Sequence, residues 1–182
     1  MKKIIAVMLA VMLLCTLTAC KKAETEELTT TPDSFVYTDN EENSEPVITD
    51  ENTVAKQLSA EFIRLTETET DITAQVIADK LLASPVISFS GISSAVSTGV
   101  LQGFGNAEIT GFSEAVCFSP VVNAIPFIGY IFVLDDNTDI NTFTDNLRAN
   151  ADRRWIVCGE ADETVITTSG NMVFFVMSPV SL

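Results

Sequence analysis

The sequence predicts an α+β domain, a mostly antiparallel sheet with helices packed on one face, preceded by a signal peptide and a disordered acidic linker. Three observations predict it. Apolar residues recur at helical spacing between residues 53 and 83, and again after Asp139. Apolar, aromatic and β-branched runs with strand composition stand at 112–118, 127–134, 164–168 and 172–177. Helices, two strands, a helix and two or three further strands follow one another, an order that suits a sheet with helices layered on it.

The chain opens with Lys2-Lys3 and an apolar run from Ile4 to Leu14, followed by Leu17-Thr18-Ala19-Cys20. A charged start, a short apolar segment and small residues make a secretion signal. The run is too short for a hydrocarbon core, which needs about 20 apolar residues. An ordinary cleaved signal needs no cysteine at its cleavage site. The four residues resemble the lipobox of bacterial lipoproteins. That resemblance implies a signal peptide over 1–19, acylation of the Cys20 thiol and Cys20 as the first residue of the mature protein. Such proteins carry a diacylglyceryl group. Two or more chains hold a protein firmly, whereas one chain, at about 0.8 kcal/mol per buried CH₂, holds it marginally.

Residues 20–52 form the lipidated N-terminus and the linker. Residues 21–52 hold ten acidic residues and two lysines among many Thr, Asn and Ser. Phe35, Val36 and Tyr37 cannot build a core, so the stretch reads as a self-repelling tether, or with those three residues as a short docking motif. The globular domain is expected over 53–182. Val54, Leu58, Phe62 and Leu65 place a helix over 53–66. A second helix is expected from about Ile72 to Ala83, with Ile72, Val76 and Leu81 on one face, Thr70 or Asp71 as its N-cap and Pro85 beyond its end. Val86–Phe89 has the composition of a short strand. Ile92, Val96, Val100 and Phe104 stand four apart, which suits a helix ending at Gly103 or Gly105, although Ser, Thr and Gly weaken it.

Phe112–Phe118 and Phe127–Leu134 are expected as strands joined by a longer loop that Ser119-Pro120 and Ile125-Pro126 bracket. Ile140, Phe143, Leu147 and Ala151 then mark a helix. Asp139 stands at its start and Arg148, Arg153 and Arg154 toward its end, which complements the helix dipole. Trp155–Cys158, Thr164–Thr168 and Met172–Met177 are further strands, the last two joined by a turn at Ser169-Gly170-Asn171.

From about Ile72 to Pro179 this order resembles the DUF4358 family of short bacterial lipoproteins. The matching pieces are the helix ITAQVIADKLLAS, two central strands, the helix INTFTDNLRANADRR and the closing hairpin TVITTSGNMVFFVMSP. The family tends to carry Gly-Asn-Tyr before its last strand, where this chain has Gly170-Asn171-Met172. The resemblance implies an exported lipoprotein, often of Gram-positive anaerobes. It implies no activity and carries over no catalytic residue.

Composition narrows the function classes. Beyond the signal stand 25 acidic and eight basic residues, a net charge of −17 for the mature chain. Nucleic acid is therefore no expected partner, because phosphate binding draws on Lys and Arg clusters. Anionic headgroups would repel the chain, leaving the acyl group to hold it at the bilayer. With no histidine, Ser-His-Asp and Cys-His catalysis are excluded. Lys80, on the polar side of the second expected helix, has no motif for a Ser-Lys dyad. Cys117 and Cys158 allow one disulfide in an exported protein, and two buried free thiols are the alternative. They do not make a zinc site.

Asp135, Asn137 and Asp139 have the spacing that opens a calcium loop. Ile140 then stands where glycine is needed and Asn146 where a bidentate glutamate is needed, so the segment reads as a helix cap. Gly103-Phe104-Gly105 lacks the third glycine and the lysine of a phosphate loop and reads as a turn. Glu108 and Glu114 are the candidates for paired carboxylates in glycan cleavage. Arg153, Arg154 and Trp155 read either as a binding patch or as a basic helix end followed by a core tryptophan. No metal, cofactor or catalytic residue is expected. The leading expectation is a non-enzymatic interaction module, lipid-anchored on the outer face of the cytoplasmic membrane, with a cell-envelope protein or glycan as partner. A carboxylate-based cell-wall glycan hydrolase and a small ligand-binding lipoprotein are the alternatives.

Overall fold

The computed structural model describes residues 52–182. The expected signal peptide, Cys20 and the expected linker up to residue 51 lie outside the described residues. The described part is α+β: three helices and a five-stranded antiparallel sheet, with a two-stranded ribbon beside it.

Helix α1 (Val54–Thr68) buries Val54, Ala55, Leu58, Phe62 and Leu65, the spacing visible in the sequence. Thr53 caps it by accepting the Lys56 N–H. Glu163 reinforces that start from across the fold: its Oε2 accepts the Thr53 hydroxyl at 3.0 Å and its Oε1 the Ala55 N–H at 3.3 Å. The Val54 N–H donates to the Val180 carbonyl at 3.1 Å, so the two ends of the domain meet. Helix α2 spans Ala74–Leu82 and is capped by Thr73, not by Thr70 or Asp71. Asp71 takes a φ of 60°, a left-handed turn that no helix start accommodates, and this delays the helix. Its buried face is Ala74, Ile77, Ala78 and Leu81, and Val76 is exposed.

The predicted helix over Ile92–Phe104 is absent. Gly91–Val96 forms β1, and Gly99–Val100 forms β2, which pairs with β3 (Glu108–Ile109). Spacing by four fits a helix, but Ser, Thr, Gly and β-branched residues favour extended backbone, and strand β4 offers β1 a pairing edge. Val86–Phe89 is a turn region, not a strand. Strands β4 (Phe112–Pro120), β5 (Ile128–Leu134), β6 (Glu163–Ser169) and β7 (Met172–Ser178) occupy the predicted runs, and α3 (Ile140–Asn150) lies between β5 and β6. Gly170, with a φ of 58°, opens the two-residue turn between β6 and β7, where a hairpin of this length needs glycine. Trp155–Cys158 is a loop instead of a strand. Arg153 holds it in that shape, its guanidinium donating to the carbonyls of Ala161 (2.6 Å) and Asp162 (2.5 Å).

The strand order is β1-β4-β5-β7-β6. Alternation along the central strands divides the core. Val116, Phe118, Ile131, Phe174 and Val176 point to the face that α1 and α2 cover. Ala115, Tyr130, Phe132, Val173 and Phe175 point to the other, where Phe104, Ile109, Phe143 and Leu147 meet them. Helix α3 and the β2–β3 ribbon therefore cover the second face. Helices lie on both sides of the sheet, because β5 and β7 are apolar along both of their faces.

Gly129 is required by packing. A Cβ there would collide with the Phe118 ring on the neighbouring strand. Gly129→Ala is expected to lower stability by about 1–3 kcal/mol through overpacking. Thr53→Ala is expected to cost about 1 kcal/mol by uncapping α1. Urea titration followed by circular dichroism measures both.

Candidate functional site

The structure does not assemble the side chains singled out for chemistry. Glu108 lies on β3 and Glu114 on β4 beside a register shift, both exposed. Neither lines the depressions that mark this surface. Those depressions are open. One lies against the Arg154–Glu160 loop, one between α3 and β6, and two at the β6–β7 turn. Among the described residues, no three Asp, Glu or Cys side chains are grouped so as to hold a metal ion.

Asp139 is the N-cap of α3 and accepts both the backbone N–H and the hydroxyl of Thr142, each at 2.8 Å. These bonds hold its carboxyl below the usual carboxylate range, so the charged cap is lost only as pH falls through that lowered value. Gly103-Phe104-Gly105 is a turn with φ values of 89° and 58° at the two glycines. It buries Phe104 against Tyr130 and Phe175, with ring centroids 5.6 and 4.7 Å apart. Arg154 is bound to Glu160 at 2.6 Å, and Trp155 packs half-buried against the second core cluster. Lys80 is paired with Glu69 at 2.5 Å on the exposed side of α2. Among the described residues no helix is long and apolar enough to cross a membrane.

Cys117 and Cys158 are both free. Cys117 sits in the middle of β4, opposite Tyr130 of β5. Burial pushes its thiol up to about 11, and the neighbouring Tyr130 hydroxyl acts the other way. Burial also raises the Tyr130 hydroxyl well above its ordinary value, and that hydroxyl donates to the Gln102 carbonyl at 2.8 Å. Cys158 is exposed in the loop before β6.

The feature that stands out is the edge strand β1. Its partner β4 lies on one side and, among the described residues, no strand lies on the other. Gly91, Ile92, Ser94 and Ala95 are exposed, Ile92 at 57%. Natural edge strands are usually guarded by a lysine, a proline, a bulge or an inward-pointing charge. β1 has none of these, and its register with β4 is unbroken from Gly91 to Val96. Val121 and Val122, in the loop after β4, are also exposed, and the Val121 N–H extends the pairing by donating to the Ser90 carbonyl at 2.9 Å. The opposite edge strand, β6, differs. Its residues are mostly half-buried, and Glu163 fastens it to α1. The sequence holds a signal for the bare edge: no charged residue occurs from Leu81 to Ala107, 27 positions in a chain of net charge −15. Helical spacing within that stretch masks it.

Comparisons with family models, with curated proteins and with solved structures find no match for this chain.

The thiols differ enough to separate them chemically. At pH 8, iodoacetamide is expected to alkylate Cys158 and to spare Cys117 until the pH approaches its raised value or the domain unfolds. Peptide mass spectrometry with and without urea checks this.

Proposed function

We propose that this chain is an exported, lipid-anchored interaction module of the cell envelope. In this reading Cys20 carries the acyl chains, residues 20–52 form the tether, and the domain presents β1 to a partner on the outer face of the cytoplasmic membrane. The observation that carries the reading is the unguarded, uncharged edge of β1 in an otherwise acidic domain. An exposed, unprotected edge is a template for a further strand, and strand addition is a common mode of recognition. The open depressions and the scattered carboxylates give no support to the glycan hydrolase.

The leader supplies the other support. Lys2-Lys3, the Ile4–Leu14 run and Leu17-Thr18-Ala19-Cys20 agree in charge, length and cysteine position. Kinship with the DUF4358 lipoproteins belongs to the same proposal. It rests on the order of α2, two central strands, α3 and a closing hairpin, without a matching family model. A Gram-positive envelope follows from that kinship alone.

Cells fed a radiolabelled fatty acid are expected to label the wild-type chain and not Cys20→Ala. In-cell crosslinking followed by mass spectrometry is expected to return a partner with wild type that is absent with Cys20→Ala. An unlabelled wild-type chain removes the anchor from the proposal, and the same crosslinks in both forms remove its dependence on the membrane.

A further inference from the structure

Resting on that reading, we propose that β1 binds an extended peptide segment carrying a lysine or arginine, added to the sheet as a sixth strand with its basic side chain beside Asp79. The backbone geometry specifies which groups do the pairing. The Ser90 carbonyl accepts the Val121 N–H at 2.9 Å, so its polar groups face β4. Polar groups alternate along an antiparallel strand, and those of Ile92, Ser94 and Val96 therefore also face β4. The N–H and C=O groups of Gly91, Ser93 and Ala95 face outward. Among the described residues no backbone group pairs with them. Pro120, opposite Gly91, has no N–H and sits where the ladder with β1 needs none.

Charge then selects the occupant. The side chain of Ser93, the middle residue of that outward set, lies on the α2 side of the sheet. Its hydroxyl donates to Asp79 Oδ1 at 2.5 Å. Gln75 Nε2 donates to the same oxygen at 3.0 Å and to Ser93 Oγ at 2.7 Å. Asp79 is thus held against the edge by two neutral donors. Lys80, next to it in sequence, is bound to Glu69. Glu114 adds a second carboxylate near the far end of β1, one residue before Ala115, which pairs with Val96. No lysine or arginine occurs between Lys80 and Arg148, a span that includes β1 to β5. A strand laid along β1 therefore meets neutral backbone flanked by negative charge. A basic residue opposite Ser93 on the α2 side falls within cross-strand reach of Asp79. A second copy of the chain fits less well, because pairing β1 with itself about Ser93 brings two Asp79 carboxylates together.

The test uses the full-length protein in neutral detergent micelles and two capped eight-residue peptides of alternating Val and Thr, one with two lysines and one with two glutamates. Amide hydrogen exchange is read by NMR. The lysine peptide is expected to protect Gly91, Ser93 and Ala95, the glutamate peptide to leave them unprotected, and salt to weaken the effect. Asp79→Asn, which keeps its hydrogen bonds, is expected to weaken binding about two- to fivefold, the range of an exposed charge pair. Ala95→Pro removes an outward donor at an edge position where proline is tolerated, and is expected to abolish protection with the circular dichroism spectrum unchanged. Protection elsewhere, none at all, or equal protection by both peptides overturns the proposal. So does protection of β1 that rises with protein concentration alone, the mark of self-pairing. In cells, a membrane-dependent partner that survives Ala95→Pro overturns the β1 assignment and leaves the interaction module standing. Loss of that partner in Ala95→Pro supports the assignment.

Discussion

The fold depends on two central strands buried on both faces. Every residue of β5 except Val133 is buried, and so is every residue of β7 after Met172. Such strands cannot lie at a surface, and each face needs its own cover. Helices α1 and α2 supply one. The other is assembled from smaller pieces: α3, the β2–β3 ribbon and the loop before β6. Aromatic rings dominate both sides. Phe174 meets Phe62 of α1 at 5.5 Å between centroids, and Phe132 meets Phe143 of α3 at 5.3 Å. Edge-to-face and tilted contacts of this kind stabilise beyond their buried area.

The same constraint explains the contrast between the two edges. Apolar content is concentrated in the centre of the sheet, and the strands outside it are polar. β6 is threonine-rich, half-buried and tied to α1 by Glu163. β1 is made of Gly, Ser, Ala and two β-branched residues, with little to bury and nothing to repel an incoming strand. An acidic surface surrounds it, which favours solubility while leaving this one strand approachable by a cationic chain.

Much of the architecture was legible because periodicity and local chemistry agreed. In α1 the buried Leu58, Phe62 and Leu65 are the residues whose spacing marks the helix, and Asp139 caps α3 as its position implies. The β6–β7 hairpin was readable from Ser169-Gly170-Asn171 between two β-branched runs. Elsewhere one signal misled. Ile92, Val96, Val100 and Phe104 stand at helical spacing by coincidence, since Ile92 and Val96 lie on β1, Val100 on β2 and Phe104 in the turn that follows. Trp155–Cys158 has strand composition, yet Val157 is fully exposed, because Arg153 fixes the surrounding loop through bonds to Ala161 and Asp162 that local pattern does not reveal. The candidate site was the least legible part. Which backbone groups of β1 are unpaired depends on the strand order, and the position of Asp79 beside Ser93 depends on how α2 crosses the sheet.

The place where the chain enters the domain has a mechanical consequence. The Val54 N–H is bonded to the Val180 carbonyl, and Glu163 grips Thr53 and Ala55. A pull arriving through residue 52 would meet three bonds at the cap and first turn of α1, one to Val180 beyond β7 and two to Glu163 of β6. Those bonds share the load, so the helix is not peeled away one turn at a time. A domain pulled from its N-terminal side would keep its sheet intact until this clasp gave way.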